Sequence, residues 1–214
     1  MVEQIRYKGI DEGLALVRGL ILKKLPSGIV LITISGGSCS GKSYFTKLLT
    51  EMLGKDCIKV ARLALDDYFK NGNDPAMPRN EEGRKLFDSP ESFHHNECLN
   101  SLICLLDGNR VYSPKYHFAS TRRVCGHVVH PAPVVLVEGL FALRFFGSLR
   151  SGQINIFMEA PVETRESRRL ERSEVYQTPK DELKEAFWAK VVPCHEQYVA
   201  PQEAAADIII STGP

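Results

Sequence analysis

The stretch "GIVLITISGGSCSGKS" (residues 28–43) joins a short apolar run to a glycine-rich loop. Residues 29–34 are apolar and largely β-branched, which is typical of a parallel strand buried on both faces. The glycines, lysine and serine that follow match the pattern G-x-x-x-x-G-K-[ST], in which backbone N–H groups surround a phosphate chain. The next residues predict a helix, whose N-terminal end would add partial positive charge. The stretch therefore predicts a strand, a phosphate loop and a helix rather than a plain glycine turn.

The phosphate site predicted from this stretch covers nine consecutive residues. Lys42 is placed to reach the β and γ phosphates, and the hydroxyl of Ser43 is placed to bind Mg²⁺. Cys39, inside the loop, is interpreted as a tolerated small residue rather than a redox centre. The predicted phosphate-binding set is Gly36, Gly37, Ser38, Cys39, Ser40, Gly41, Lys42, Ser43 and Tyr44.

Composition limits the class of protein. The chain has 214 residues, 43% of them hydrophobic and 25% charged, which suits one globular domain with a sizeable core. The net charge of +1 offers no basic field for nucleic acid. The charged N-terminus is unlike a signal peptide, and no apolar run approaches membrane-spanning length. Six cysteines without a C-x-x-C pair indicate a reduced chain, so we expect a cytoplasmic protein without membrane or nucleic-acid partners.

Buried strands alternate with helices along the chain, which indicates an α/β fold with a parallel sheet. Strands are predicted over 29–34, 57–65, 134–139, 154–159 and 206–211. Helices are predicted over 11–24, from the glycine loop to Gly54, over 89–108 with Ser89 as cap, from Pro161 onwards, and over 181–192. Residues 109–133 predict irregular or hairpin β structure. We expect a single domain over residues 1–214.

Acidic residues follow two of the predicted strands. Asp66 and Asp67 end the second strand, and Glu138 ends "VVLVE". Ligands of such sheets bind at the carboxyl ends of the strands, so these acids are expected beside the glycine loop. A carboxylate there could accept the proton of a hydroxyl group, and Glu138 could hold Mg²⁺. The alternatives are a capping acid for the pair and an exposed strand-end acid for Glu138.

The segment "ETRESRRLER" is rich in arginine. Arg165, Arg168, Arg169 and Arg172 recur at helical spacing and are predicted to share one face. Such a face near phosphates could neutralise charge in a transition state. On this segment alone, a solvated basic surface is the preferred interpretation.

Taken together and in order, these segments resemble the uridine kinase and phosphoribulokinase family of P-loop kinases. The resemblance runs from about residue 29 to 211 and rests on "GGSCSGKS", "LDDYFK", "LFDSPESF", "SPKYHF", "VVLVEGLFAL", "FMEAPVETRESRRLER" and "VVPCHEQYVAPQEAAADIII". It implies a P-loop NTPase fold with a five-stranded parallel sheet, flanking helices and a small mobile lid, here at about residues 168–181. It also implies ATP as phosphoryl donor and Mg²⁺.

The resemblance carries roles to matching positions. Asp66 corresponds to the general base, Asp88 and Tyr116 to residues that contact the nucleoside, Arg169 to a ribose-binding arginine and Arg172 to a lid arginine. The catalytic set that it implies is Asp66, Lys42, Arg169 and Arg172, with Arg168 added to the nucleotide site and Ser43 and Glu138 to the metal site. The implied acceptor set is Asp66, Tyr68, Asp88, Tyr116, Thr121 and Arg169.

The sequence departs from the family pattern where a pyrimidine base is read. Thr121 stands where uridine kinases usually have a histidine, His117 where aspartate is usual, and Ala186 where glutamine is expected. The lid reads "SEVYQTPKDE", with Lys180 as its one basic residue. "LDDYFK" and "VYQTP" also resemble nicotinamide riboside kinases, which lack the closing "EQYVAP" pattern. His117 or Gln177 could supply compensating donors.

The sequence therefore predicts an ATP-dependent kinase that phosphorylates a hydroxyl of a small molecule, with the 5′-OH of a nucleoside as the preferred acceptor. A GTPase is disfavoured because no K-x-D occurs in the chain. A protein that binds ATP without catalysis is the remaining rival, against which Lys42, Ser43 and Asp66 argue. A homo-oligomer is left open.

Overall fold

The apolar runs form a six-stranded parallel sheet in the computed structural model, which describes residues 4–213. Its strands are β1 (Ile5–Lys8), β2 (Val30–Gly36), β3 (Val60–Ala64), β6 (Val134–Glu138), β7 (Ile154–Glu159) and β8 (Ile208–Ser211). Strands β4 (Val111–His117) and β5 (Arg122–Val129) form a separate antiparallel hairpin. The order across the sheet is β1-β8-β7-β2-β6-β3, so the strand that feeds the glycine loop is central.

Helices cover both faces of this sheet. They are α1 (Ile10–Lys24), α2 (Lys42–Lys55), α3 (His95–Leu106), α4 (Ala142–Phe146), α5 (Val162–Leu170), α6 (Ser173–Tyr176), α7 (Lys180–Ala186) and α8 (Val192–Cys194). Short 3₁₀ turns span Leu25–Ser27, Leu65–Tyr68, Pro90–Ser92 and Ala200–Ala205, and π-helical segments span Phe187–Val191 and His195–Val199. Within residues 4–213, no helix combines the length and the apolar character needed to span a membrane.

The core lies on both sides of the central strands. Every residue of β2 and β6 is buried, as expected for parallel strands covered on two faces. One apolar cluster packs α1 and α2 against the sheet, and the other packs α3, α4 and the hairpin against the opposite face. This double cover leaves the carboxyl edge of the strands as the place where polar groups gather.

The α/β class and the parallel sheet are confirmed, and the count of five strands is wrong by one. The additional strand is β1, which pairs with β8 at the edge of the sheet. Its sequence "IRYK" gave no signal because it is short and mostly polar, and its one aliphatic side chain, Ile5, is 43% exposed.

The structure corrects the boundaries of three predicted helices. Helix α3 begins at His95, and Ser89 bonds the carboxylate of Glu91 instead of capping it. Helix α2 continues past Gly54 to Lys55, and the left-handed residue that turns the chain is Cys57, with φ of 59°. The helix predicted over 181–192 begins one residue earlier and continues through two π-helical segments to residue 199.

The hairpin is fastened to the sheet through Asp67, the second acid of "LDDYFK". Its carboxylate accepts hydrogen bonds from the backbone N–H of Tyr116 at 3.0 Å and pairs with the ammonium of Lys115 at 3.1 Å. Asn71 likewise accepts the N–H of Arg123 at 2.7 Å. Asp67 is itself buried, and its bond to Tyr116 attaches β4 to the turn that follows β3.

We expect Asp67→Ala to lower the free energy of unfolding by about 1–3 kcal/mol, because it leaves the buried N–H of Tyr116 without a partner. Lys115→Ala serves as the control, since Lys115 is exposed and a surface ion pair contributes about 1 kcal/mol or less. Urea denaturation of both variants measures the difference. Equal losses would contradict the anchoring role of Asp67.

Candidate active site

A cavity of about 630 Å³ opens at the carboxyl edge of the sheet, between the glycine loop, the hairpin and residues 169–190. Most of the predicted site residues meet there. The predicted residues that line it are Ser38, Cys39, Gly41, Lys42, Ser43, Asp66, Asp88, Tyr116, Thr121, Arg169 and Arg172. The order of the strands produces this meeting, because β3, β6 and β2 are neighbours and end at the same edge.

The remaining predicted residues lie off the cavity wall. Gly36, Gly37 and Ser40 build the buried back of the loop, and the side chain of Tyr44 is exposed on α2. Tyr68 is completely buried in the core beside α3 and β4, so its side chain does not reach the cavity. The expectation that Tyr68 contacts the acceptor therefore finds no support in its position.

The glycine loop closes around the ammonium of Lys42. Its Nζ donates to the carbonyl oxygens of Gly36 and Gly37, both at 2.8 Å. Burial lowers the pKa of Lys42, and the nearby carboxylate of Asp66 opposes that shift. The loop needs glycine at its start, because a Cβ on Gly36 would lie 2.3 Å from the carbonyl oxygen of Met158. These contacts hold a concave row of backbone groups open towards the cavity.

Two arginines of α5 contact the loop in different ways. Arg168 donates to the carbonyls of Cys39 at 3.3 Å and Thr212 at 2.8 Å, so it braces the loop from behind. Arg169 donates to the hydroxyl of Ser38 at 3.1 Å from the cavity side and lies over the ring of Tyr176 at 5.0 Å. Arg169 is therefore the arginine of this helix that lines the cavity.

The preferred interpretation of this segment as a solvated basic surface is wrong. Arg165, Arg168 and Arg169 share the face of α5 that contacts the glycine loop, and Arg165 is only 3% exposed there. Helix α5 ends at Leu170, so Arg172 lies beyond it. Sequence reasoning also missed His195, which lies with Arg165 against the backbone of Gly37. Burial, with help from Arg165, lowers the pKa of His195 to about 4, so its imidazole is neutral beneath the loop. The quoted segment "VVPCHEQYVAP" was the available signal for it.

The predicted metal-side residues are in direct contact. The hydroxyl of Ser43 donates to Oε1 of Glu138 at 3.1 Å, which leaves the lone pairs of Ser43 free for a cation. Arg62, which sequence reasoning did not single out, donates to the same Oε1 at 2.6 Å. Hydroxyl and carboxylate oxygens suit Mg²⁺. Among residues 4–213, no group of three or more His, Cys, Asp or Glu side chains is arranged to hold a metal ion.

The structure separates the two acids of "LDDYFK". Asp67 is occupied by the hairpin, whereas Asp66 lines the cavity. Oδ1 of Asp66 is buried without a hydrogen-bond partner in the described part of the chain. Burial, followed by repulsion from Glu138, raises the pKa of Asp66 from its ordinary value of 3.8 to about 7. A carboxylate in this state is a stronger proton acceptor than an exposed one.

Aromatic side chains form the wall of the cavity away from the loop. They are Phe69, Phe87, Tyr116, Phe118 and Tyr176, with ring centroids of neighbouring pairs 5.2–6.3 Å apart. The hydroxyl of Tyr116 is buried and has no partner among residues 4–213. Asp88 lies on the same wall, and burial raises its pKa while Arg169 opposes the shift. A flat ring with polar groups at its edge fits such walls.

The far end of the cavity carries the departures seen in the sequence. Thr121 and Ala186 line it, together with Glu182, Glu185 and Arg84. Arg84 pairs with Glu185 at 3.2 Å. The side chain of His117 instead bonds Ser120 at 2.8 Å, and neither His117 nor Gln177 lines the cavity.

Comparisons with known proteins identify the family. The model of the phosphoribulokinase / uridine kinase family matches residues 31–214, so the chain belongs to this family. Uridine kinases of Clostridium botulinum and Clostridium perfringens are 32% and 30% identical to it over 187 residues, which is 86% of this chain and 88% of each relative. The structure of D-glycerate 3-kinase from Cryptococcus neoformans has a TM-score of 0.65, 15% identity and coverage of 94% of this chain and 95% of that one; it shows the fold alone. These relatives support a kinase.

The raised pKa of Asp66 predicts a pH-dependent cost to stability. Below its ordinary pKa of 3.8 the carboxyl is protonated in both states, and the cost is absent. The cost grows from there to about pH 7, because the unfolded chain loses the proton first, and it is complete above pH 7. We therefore expect Asp66→Asn to raise the Tm at pH 8 and to leave it nearly unchanged at pH 4.

Differential scanning calorimetry at the two pH values measures this effect. Asp107→Asn removes an equal charge from an exposed position and serves as the control. A Tm increase that is the same at pH 4 and pH 8 would show that the variant acts through packing rather than through the charge of Asp66.

Proposed function

We propose that the chain is an ATP-dependent kinase that transfers the γ-phosphoryl group to the 5′-OH of a nucleoside. The observation that carries the proposal is the position of Asp66. Asp66 lines a cavity that also contains residues of the glycine loop and an aromatic wall, and its buried Oδ1 has no hydrogen-bond partner among residues 4–213. A hydroxyl held between the two would lie beside a proton acceptor and opposite a phosphate site.

On the phosphate side, the chain's own groups supply positive charge. Lys42 can exchange its two carbonyl partners for phosphate oxygens without leaving the loop, because both partners are loop backbone. Arg169 and Arg172 line the same end of the cavity and can neutralise charge that develops on the transferred group. Mg²⁺, bound by Ser43 and Glu138, would screen the phosphate charges. We assign the adjoining Tyr44 and Arg168 to the nucleotide side as well.

On the acceptor side, the aromatic wall favours a molecule with a planar ring. Asp88 and Arg169 lie between that wall and the loop and could bind the hydroxyls of a ribose. Tyr116 brings an unpartnered hydroxyl to the ring edge. The similar proteins named as uridine kinases add support for a nucleoside. Residues from about 168 to 181 would act as a lid of the single domain, since Arg172, Val175 and Thr178 line the cavity.

A nicotinamide riboside-like acceptor is the second candidate. Glu182 and Glu185 both line the far end of the cavity, and Arg84 pairs with only the second of them. An acidic end behind aromatic walls suits a ring that carries positive charge. The absence of a polar side chain at Ala186 and the short reach of Thr121 disfavour a pyrimidine there. The alternative that is not an enzyme is a protein that binds ATP without catalysis. Detectable turnover of any acceptor would exclude it.

We expect a panel of nucleosides with Mg-ATP to yield a 5′-monophosphate from at least one acceptor, with uridine and cytidine at least about tenfold below the best. Each lost hydrogen bond to a buried ring edge contributes about 1–3 kcal/mol of discrimination. Values of kcat/KM for uridine, cytidine, nicotinamide riboside and purine nucleosides measure the order. A uridine value above about 10⁵ M⁻¹s⁻¹, in the ordinary range for native substrates, would contradict this expectation.

The matched control for this panel is Lys42→Ala. It removes the buried cation of the glycine loop, so every genuine transfer should nearly disappear. Phosphorylation that persists within about tenfold in Lys42→Ala would point to a contaminating kinase rather than to this chain.

Replacement of the two neighbouring acids tests the proton acceptor. Asp66→Asn keeps the shape of the side chain but removes its basicity, so kcat should fall by about a hundredfold or more while ATP still binds. Asp67→Asn should affect stability more than turnover, because Asp67 is bonded to the hairpin. Single-turnover assays and nucleotide binding by calorimetry separate the two effects. The reverse ranking of the two variants would refute the choice of Asp66.

A further inference from the structure

The arginine that contacts the metal-side carboxylate is the feature that the proposed chemistry leaves unexplained. Arg62 projects from β3, the edge strand of the sheet, and its side chain is 40% exposed. It donates to Oε1 of Glu138 at 2.6 Å, and the side chain of Glu138 is only 4% exposed. The partly exposed guanidinium of Arg62 therefore contacts Glu138, the buried carboxylate that we expect to bind a divalent cation.

The position of Arg62 follows from strand register. Arg62 pairs with Leu136 across β3 and β6, and Ala64 pairs with Glu138. Arg62 and Glu138 thus lie two residues apart on one face, a diagonal that a long side chain spans. This face is the one covered by α2, whose first turn carries Ser43. The sheet itself therefore brings the guanidinium, the carboxylate and the hydroxyl together.

The contacts to Glu138 are not shared between its two oxygens. Ser43 and Arg62 both donate to Oε1, and no other side-chain hydrogen bond reaches Glu138 from residues 4–213. Oε1 is thereby held in place, and Oε2 remains the oxygen free to face a cation or its water. Arg62 also offsets the one negative charge in contact with Ser43, and a divalent cation depends on such charge for its affinity.

We propose that Arg62 is a positioning residue that makes metal binding depend on the nucleotide. It orients Glu138 through Oε1 and cancels its charge, so the divalent cation binds when phosphate groups supply additional negative charge and binds poorly alone. This inference rests on the proposed kinase site. It adds that the chain discriminates between a free cation and a nucleotide-bound cation before any transfer takes place.

The test compares three variants by electron paramagnetic resonance of free Mn²⁺. Arg62→Gln keeps a hydrogen-bond donor but removes the charge, and Arg62→Lys keeps the charge. Arg18→Gln is the matched control, since Arg18 forms a comparable ion pair with Asp56, at 2.6 Å, between α1 and the end of α2. Each protein is titrated with Mn²⁺ alone and again with Mn²⁺ in the presence of ATP. Circular dichroism checks that each variant folds.

We expect Arg62→Gln to bind Mn²⁺ alone at least about threefold more tightly than the parent, because a repelling charge close to the cation is removed. Arg62→Lys and Arg18→Gln should stay within about twofold of the parent, and the four proteins should differ less when ATP is present. The benefit of ATP for Mn²⁺ binding should therefore be smallest in Arg62→Gln.

Two results would overturn the inference while leaving the kinase site intact. In the first, Arg62→Gln binds Mn²⁺ alone no more tightly than the parent although ATP promotes Mn²⁺ binding to both. In the second, Arg62→Lys gains as much affinity as Arg62→Gln, which would show that the charge is not the cause. Failure of ATP to promote Mn²⁺ binding in the parent would instead overturn the proposed function, and this inference with it.

Discussion

Burial of the Lys42 ammonium is the constraint on which the rest of the site depends. A buried charge is costly unless it is hydrogen-bonded, and here two carbonyl oxygens of the glycine loop accept from it. The loop begins and ends at glycines with positive φ angles, 149° at Gly36 and 96° at Gly41, which other residues rarely adopt. Lys42 is also the first residue of α2, so the conformation of the loop, the start of the helix and the position of the ammonium depend on one another.

The positive charge of Lys42 is partly offset by carboxylates that follow or end the neighbouring strands β3 and β6. Asp66 lies in the 3₁₀ turn after β3, Glu138 ends β6, and the charges of both oppose the lowering of the Lys42 pKa by burial. The two acids repel one another, and the repulsion adds to burial in raising the pKa of Asp66. Arg62 pairs with Glu138 and not with Asp66. The distribution of partners thus leaves one acid paired and the other available as a proton acceptor.

Much of this arrangement could be predicted from the sequence, for physical reasons that differ between elements. Strands β2, β6 and β7 are buried on at least one face and apolar, so composition alone indicates them. The glycine loop and its lysine are local in sequence, so a pattern can describe them. Strand β1 could not be predicted, because its pairing with β8 lies about 200 residues away and its own residues are mostly polar. The end of α2 was misplaced because Cys57 adopts the left-handed conformation that glycine would be expected to supply.

The residues that sequence reasoning missed share a different property: their roles depend on contacts with distant parts of the chain, which only the fold brings together. Arg62 is an ordinary exposed position of an edge strand until the register places it diagonally from Glu138. Arg165 belongs to a segment that reads as a uniform basic helix, yet it packs beneath Gly37 with His195, thirty residues further along the chain. Asp66 and Asp67 are adjacent and chemically identical in sequence. The hairpin, which comes about fifty residues later, distinguishes them by bonding only to Asp67.

The two ends of the cavity are supported by different parts of the chain, and this separation explains how acceptor choice can vary within one fold. The glycine loop directly follows β2, a central strand of the six-stranded sheet. The end that we propose for the acceptor is lined by the hairpin and residues 175–190, which contribute Thr121, Glu182 and Ala186 and lie outside the six-stranded sheet. Substitutions there alter the polar groups around a ring without disturbing Lys42 or Asp66. In the proposed function, a phosphate site that matches the family pattern therefore lies beside an acceptor site that departs from it, and this architecture permits that combination.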